Sequence, residues 1–368
     1  MVSASPSPHA PSAEEIQNFR SHLLAGKPIV LPTETVPGVG VFADSADAAR
    51  ALAALKGAPG GRPFSLHLRN LEELKSFIPC PPPGLAPWLQ RVLPGPLTVV
   101  LPVKWLDLPF EVPWPALGFR LPGSEAYSRW MDHAPGPVWM TSINPHGQPP
   151  LQGGDLFEWL QERTEIWNGL TDEDSPNQGA EASAVVEFTP TPFWHRGEDR
   201  FVGRMPGMRI LCLCTGNTCR SPLAEVLLRQ EVAAAWGVPQ VELDALGWTI
   251  ESAGTSVISA SPANGNSVAA ASEVGLDLSS HRSQNLELAL QKPWDLVLGM
   301  SATHLGLLPP NTPCALFDPT GGEVPDPFGQ EMSIYRLTRD HLQEACLGWA
   351  QSWSRWPESG QTYVTAGG

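Results

Sequence analysis

The chain has 368 residues, 42% of them hydrophobic, and a net charge of −15; this length is too great for one ordinary core and leads to an expectation of two domains. Both halves are acidic, with 15 basic against 22 acidic residues up to position 204 and 8 against 16 beyond it, which excludes a broad basic face for gripping nucleic acid. No run of eighteen apolar residues occurs, so no membrane span is expected, and the scatter of Cys80, Cys212, Cys214, Cys219, Cys314 and Cys346 excludes a disulfide framework and suits a reducing cytoplasm.

In chain order, residues 1–14 lack the basic and apolar regions of a secretory signal and are expected to be a disordered lead. PIVLPTETVPGVGV (28–41) reads as strand, turn and strand. SADAARALAALKG (45–57) reads as a helix with Gly57 at its end. FSLHL (64–68) is a strand, LEELKSFI (71–78) a helix, and LTVVLPV (97–103) and PVWMTSI (137–143) are further strands. CPPPGLAP (80–87) is a proline cluster and residues 163–183 a polar surface loop. ASAVVEF (182–188) is a strand, and residues 189–207, rich in Pro and Gly and without periodicity, hold the linker. The first domain is expected over 15–200 as mixed α/β, with the link at 201–207.

MRILCLC (208–214) is a short apolar run of the kind that forms a buried parallel strand. SPLAEVLLRQEVAAAW (221–236) has helical spacing, with Ser221 at its N-terminus and Pro222 in its first turn. WTIESAG (248–254), DLVLGM (295–300) and CALF (314–317) are strands; NSVAAASEVG (266–275) and residues 333–353 are helices. Alternating strands and helices predict a doubly wound parallel sheet over 208–356, followed by a tail at 357–368.

CTGNTCRS (214–221) joins the first of these strands to the first helix. A helix N-terminus offers unpaired N–H donors and the positive end of the helix dipole. Gly216 and Asn217 tolerate the left-handed backbone of an anion nest, Arg220 can hold a phosphoryl group bidentately, and the same field favours a thiolate at Cys214. A thiolate beneath a bound phosphoryl group is a covalent catalyst. The competing readings are a metal clip, for which no second Cys/His cluster supplies the remaining ligands, and core packing, which suits Cys212 on the strand.

CTGNTCRSPLAE, followed in order by ESAGT (251–255), LSSHRS (278–283), DLVLGMSATHL (295–305) and VPDPFG (324–329), resembles the low-molecular-weight protein-tyrosine-phosphatase family. The resemblance implies a metal-free phosphoprotein phosphatase. Cys214 would be the nucleophile, Arg220 the phosphate clamp, and Asp326 the general acid and then base. Thr215, Gly216, Asn217 and Thr218 would form the loop, with Ser221 bonding the thiolate and Ser252 and His281 in support. Cys219 would be either a redox partner of the nucleophile or a packing residue. Thioredoxin-linked arsenate reductases share the loop but need redox cysteines close together on a later segment, whereas Cys314 and Cys346 stand far apart. Thr218 and Phe328 match the pattern of the bacterial protein-arginine-phosphatase branch, where tyrosine enzymes usually carry a bulky aliphatic and a tyrosine. Phosphoarginine is therefore the expected substrate.

In the first half, PTETVPGVG (32–40), Lys56, RPFSLH (62–67), PGPLTVVLP (94–102), GFRLP (118–122) and TSIN (141–144) together resemble the YrdC/Sua5 family. That resemblance implies synthesis of threonylcarbamoyl-adenylate from L-threonine, bicarbonate and ATP with Mg2+, and an indirect link to tRNA through the downstream transferase. Lys56 and Arg62 would face phosphate and Arg120 the amino acid's carboxylate. Thr33, Thr35, His67 and Thr141 would line the threonine pocket. Ser142, Asn144 and Ser183 would serve the nucleotide, and Arg196 falls within the same ATP- and threonine-binding set. Two departures stand out: Pro37 replaces the family's tyrosine, and Lys56-Gly57-Ala58 lacks the second cation of a K-x-R pair. The expectation is a cytoplasmic fusion of two enzymes; the contrasting reading is a tyrosine phosphatase carrying a degenerate ATP- or RNA-binding domain.

Overall fold

The computed structural model of the chain describes residues 10–44, 46–55, 64–144, 148–151, 153–171, 181–188, 192–200 and 205–356. They divide into two compact units, one of residues 1–79 and 90–202, the other of 80–89 and 203–368. Both are α/β, the first around a mixed sheet and the second around an all-parallel one. Among the described residues no helix is long and apolar enough to cross a membrane.

Among the described residues the first unit holds nine strands: β1 (Ile29–Leu31), β2 (Gly38–Phe42), β3 (Ser65–His67), β4 (Leu97–Pro102), β5 (Ala116–Arg120), β6 (Val138–Ser142), β7 (Trp167–Asn168), β8 (Ala184–Phe188) and β9 (Pro192–Arg196). Their order is β7-β1-β2-β6-β3-β5-β4-β8-β9. The described helices are α1 (Ala13–Leu24), α2 (Ala46–Leu55), α3 (Leu71–Phe77), the end of α4 (Leu85–Val92, whose residues 85–89 belong to the second unit), α5 (Glu125–Met131) and α6 (Gly153–Gln161). Phe19 and Leu23 of α1 pack with Ile29, Tyr127, Met131 and Val138 in a dry cluster, the apolar stripe of an amphipathic helix against the sheet.

Several expectations are corrected here. Residues 13 and 14 belong to α1 rather than to a disordered lead, because Ser12 and Glu15 close a reciprocal capping box; residues 1–9 lie outside the described ones. The polar segment 163–183 contributes β7, held by Trp167, whose ring lies 4.6 Å from Trp130 and 4.9 Å from Phe19. The stretch 189–207 contributes β9, an edge strand antiparallel to β8, where Pro192 at the strand start removes no necessary ladder bond. The proline cluster runs straight into α4 at Leu85. Gly57 and the tail 357–368 lie outside the described residues.

Among the described residues the second unit has four parallel strands, β10 (Arg209–Cys214), β11 (Thr249–Gly254), β12 (Leu296–Gly299) and β13 (Cys314–Leu316), in the order β11-β10-β12-β13. Around them run α7 (Arg220–Trp236), α8 (Gly265–Ser272), α9 (Leu286–Ala289), α10 (Ala302–Leu305) and α11 (Met332–Trp353). β10 is buried at every position after Arg209, as a central strand covered on both faces must be. Gly237, left-handed at φ 69°, ends α7. The chain moves from β10 to β11 on one side and then returns to β12 on the other. That reversal opens a crevice outside the carboxyl ends of β10 and β12, where open α/β sheets take their ligands.

Candidate active sites

The crevice of the second unit is filled by the turn between β10 and α7. Cys214 closes β10, and Arg220 begins α7. Of the two residues expected to supply left-handed backbone, only Asn217 does so, at φ 49°; its side chain makes the conformation tolerable by bonding locally. Asn217 N donates to Cys214 Sγ at 3.2 Å, and Ser221 Oγ lies 3.0 Å from the same sulfur. Asn217 Nδ2 donates to Ser221 Oγ (2.9 Å) and Ser252 Oγ (2.8 Å), while its Oδ1 accepts from Gln284 N (2.9 Å). His281 Nε2 stands 2.8 Å from Asn217 O, which can only accept, so Nε2 carries the proton. Burial holds the His281 pKa below its ordinary value despite that bond.

Gly254 of β11 is required here by close approach. A Cβ would lie 2.6 Å from Thr215 O and 2.9 Å from Asn217 N, so a side chain would drive the loop away from the sheet. Gly216 has no such constraint, since a Cβ there would meet only Thr218 Oγ1 at an ordinary 3.6 Å.

Arg220 is buried, and it reaches the segment carrying Asp326: Nη2 donates to Asp326 Oδ2 at 2.5 Å and Nη1 to Val324 O at 3.2 Å. Its Nε is buried and has no hydrogen-bond partner among the described residues. Phe328 projects beside Asp326 with 67% of its surface exposed, and its N–H donates to Asp326 Oδ1. Thr218 is half-buried, its Oγ1 3.8 Å from Cys219 Sγ, which also lies 3.8 Å from Tyr335 Oη of α11. Cys214 and Cys219 are both free thiols, and burial pushes the Cys219 thiol up.

Residues that the sequence reading missed complete this network. Glu225, one turn into α7, accepts from Ser252 Oγ at 2.7 Å, and burial raises its pKa. Gln284 Nε2 donates to Ser252 O at 2.8 Å. His304 of α10 bonds Thr215 Oγ1 through Nε2 at 2.9 Å. A helical Glu and a histidine in ATHL carry no local signal of their own, because only the sheet register brings them to the loop.

In the first unit, a cavity of about 570 Å3 is lined by His67, Arg120, Thr141, Ser142, Asn144, Ser183 and Arg196 among the expected residues, joined by Ser65 and Thr98, which were not expected. Thr98 Oγ1 lies 3.0 Å from Ser183 Oγ, Arg196 Nε donates to Ser183 O (2.6 Å), and Ser142 Oγ donates to Asn144 Oδ1 (2.7 Å). Arg120 Nη2 gathers Thr35 Oγ1 (2.6 Å), Glu34 Oε1 (3.1 Å) and Thr33 Oγ1 (3.4 Å), so the turn between β1 and β2 is tied to β5. Arg120 Nε and His67 Nδ1 are buried and have no hydrogen-bond partner among the described residues. Burial, then the charge of Arg120, holds the His67 pKa well below the ordinary value. Lys56 and Arg62 lie outside the described residues. Among the described residues no group of three or more His, Cys, Asp or Glu is placed to hold a metal ion, and the cavity's polar lining of hydroxyls, amides and guanidiniums suits phosphate and carboxylate oxygens.

Comparison with known proteins agrees with both geometries. The model described as low molecular weight phosphotyrosine protein phosphatase matches residues 209–357, and the Sua5/YciO/YrdC model, described as telomere recombination, matches residues 21–196. The low-molecular-weight protein-tyrosine-phosphatase Etp of Escherichia coli K12 is 28% identical, covering 40% of this chain and 95% of the relative. The protein-arginine-phosphatase of Bacillus subtilis is 33% identical over 37% of this chain and 91% of its own. An arsenate reductase of Bacillus cereus is 33% identical over 37% and 88% respectively. The chain therefore belongs to the low-molecular-weight phosphatase family through its second half and carries a domain of the Sua5/YrdC family in its first.

Proposed function

We propose that the chain is a bifunctional enzyme whose second unit hydrolyses phosphoproteins through a phosphocysteine, with phosphoarginine preferred. The observation that carries this reading is the cluster of Cys214 Sγ, held by Asn217 N and Ser221 Oγ, with Arg220 bound to Asp326 beside it. The Cys214 thiolate attacks phosphorus, forming the S–P bond as the P–N bond to the substrate breaks. Asp326 delivers its proton to the departing guanidine nitrogen. Asp326 then takes a proton from water, whose oxygen attacks phosphorus, and the S–P bond breaks to release phosphate. Arg220 and the loop N–H groups stabilise the charge on the transferring group. No metal has a part in this sequence.

Preference for phosphoarginine rests on Thr218, which puts a hydroxyl where an aliphatic would sit, and on Phe328, exposed beside Asp326. Relatives named for arginine and for tyrosine fall within similar identity, so the residues of the pocket carry this choice.

For the first unit the reading is threonylcarbamoyl-AMP synthesis from L-threonine, bicarbonate and ATP, releasing pyrophosphate, with the product passed to a tRNA-modifying transferase in the cytoplasm. Supporting it is a cavity lined by hydroxyls, with Arg120 and Arg196 on its walls. Mg2+ bound as part of the ATP substrate would offset phosphate charge alongside the guanidiniums of Arg120 and Arg196. Thr141 and His67 face the amino acid, and Ser142, Asn144 and Ser183 the nucleotide; the phosphate role expected of Lys56 and Arg62 falls on residues outside the described ones. Catalysis is by positioning and charge.

The test is a substrate panel of phosphoarginine and phosphotyrosine peptides on wild type and Cys214→Ser, with threonine-dependent pyrophosphate release measured on the same preparations. Phosphatase activity that survives Cys214→Ser overturns the covalent mechanism, and faster turnover of phosphotyrosine overturns the arginine preference. A folded protein that releases no pyrophosphate while its phosphatase works favours a degenerate first domain.

A further inference from the structure

We propose that His304 is a positioning residue of the phosphatase site, fixing the hydroxyl of Thr215 beside the nucleophile through a Ser301–His304–Thr215 chain. The proposal rests on the phosphatase reading of Cys214 and Asp326. Its geometry follows from the sheet. β10 and β12 are parallel neighbours with Leu213 opposite Gly299, and Met300 N donates to Leu213 O at 2.9 Å. Their carboxyl ends therefore deliver Thr215 and α10 to the same crevice. His304 Nε2 lies 2.9 Å from Thr215 Oγ1 and its Nδ1 lies 2.8 Å from Ser301 Oγ, so both ring nitrogens are engaged and the imidazole plane is fixed.

The histidine itself is buried, whereas Thr215 is exposed at the loop surface. An exposed threonine hydroxyl ordinarily rotates among water partners; here a buried ring holds it in one orientation. The turn from β12 into α10 also touches the acid segment: Ala302 N donates to Glu323 Oε1 at 2.8 Å, and Val324 N donates to Met300 O at 2.9 Å. The charged groups that act on the ring are Arg220, Asp326 and Glu323; burial first, then Arg220, keeps its pKa below the ordinary value and the ring neutral at pH 7. A neutral ring has one donor and one acceptor, and the hydroxyls at its two ends can each take the complementary role. The consequence is a Thr215 hydroxyl presented to the substrate in a defined direction, without any proton leaving the chain.

The test uses the full chain with a phosphoarginine peptide and p-nitrophenyl phosphate, comparing His304→Leu, His304→Gln, Thr215→Val and the His304→Leu/Thr215→Val double variant. His304→Leu and Thr215→Val should each lower kcat/KM by about three- to tenfold, the scale of one hydrogen bond. The double variant should fall no further than either alone, because both remove the same interaction. His304→Gln, whose amide reaches the position of Nε2, should keep at least half of the wild-type value. Multiplicative losses, or a His304→Leu variant as active as wild type, overturn the proposal while leaving the phosphatase reading intact. If His304→Leu does not fold, the Thr215→Val and His304→Gln pair still decides: unchanged activity in Thr215→Val, or a His304→Gln loss as deep as that of Thr215→Val, overturns it. A wild type inactive on both substrates overturns the phosphatase reading and this one with it.

Discussion

The guanidinium of Arg220 donates to the carboxylate of Asp326 at 2.5 Å across 106 residues of sequence. The pair joins the residue that would clamp a phosphoryl group to the residue that would protonate its leaving group. Asp326→Asn should therefore lower kcat on phosphoarginine peptides by about 10²- to 10⁴-fold with little change in KM, since the amide keeps the contact and loses the proton. Steady-state kinetics on both parameters checks this.

Arg220→Lys keeps the charge and loses the fork that spans Asp326, Val324 O and the unpartnered Nε. It should cost about two orders of magnitude in kcat/KM. Inorganic phosphate, measured as a competitive inhibitor, should weaken in parallel.

Thr218→Ile exchanges a hydroxyl for an aliphatic at a half-buried position of the loop. The ratio of kcat/KM for phosphoarginine over phosphotyrosine should fall by about tenfold or more, the scale at which a polar contact discriminates substrates. Competition between the two peptides in one tube gives that ratio directly.

Asn217 combines a positive φ with side-chain bonds to Ser221, Ser252 and Gln284 N. Asn217→Gly keeps the backbone freedom and loses the bonds; Asn217→Ala loses both. Urea unfolding should find the alanine variant less stable than the glycine variant by about 1 kcal/mol, and both below wild type.

His67 is buried with its pKa held well below 6.5 by burial and Arg120. A depressed histidine binds its proton more readily in the unfolded chain. Its contribution to stability is therefore complete above about pH 6.5 and is lost as pH falls below it. The unfolding transition of the first unit should weaken progressively from pH 6.5 downward, and His67→Gln should flatten that dependence. Denaturation midpoints measured across the pH range test the sign.

How much of this was legible beforehand depended on distance along the chain. CTGNTCRS lies within eight consecutive residues, so the loop that joins β10 to α7 could be read from local spacing alone. The apolar runs that became β10 and β12 were equally plain, because central parallel strands are buried on both faces. Strands β7 and β9 were not: β7 has two residues, β9 begins with Pro192, and each is paired with a neighbouring strand, β1 and β8 respectively, rather than marked by its own pattern. Of the first cavity's lining, Thr141, Ser142, Ser183 and Arg120 were named from motifs, whereas Thr33 and Thr35, expected to line it, bond Arg120 instead and are not among its lining residues. Thr98 and Ser65 were missed because a hydroxyl on a strand reads as structural until the opposite wall is known.

By itself the sequence determined the two-domain α/β character, the loop from Cys214 to Ser221 and the family motifs around it, all of which depend on residues close together in the chain. Only the tertiary structure decided that Asn217, and not Gly216, takes the left-handed backbone, that Glu34 occupies Arg120, and that His304 stands behind Thr215. The reason is physical: a hydrogen bond depends on a separation of about 3 Å, and between residues tens of positions apart that separation is set by strand register, which no local pattern encodes.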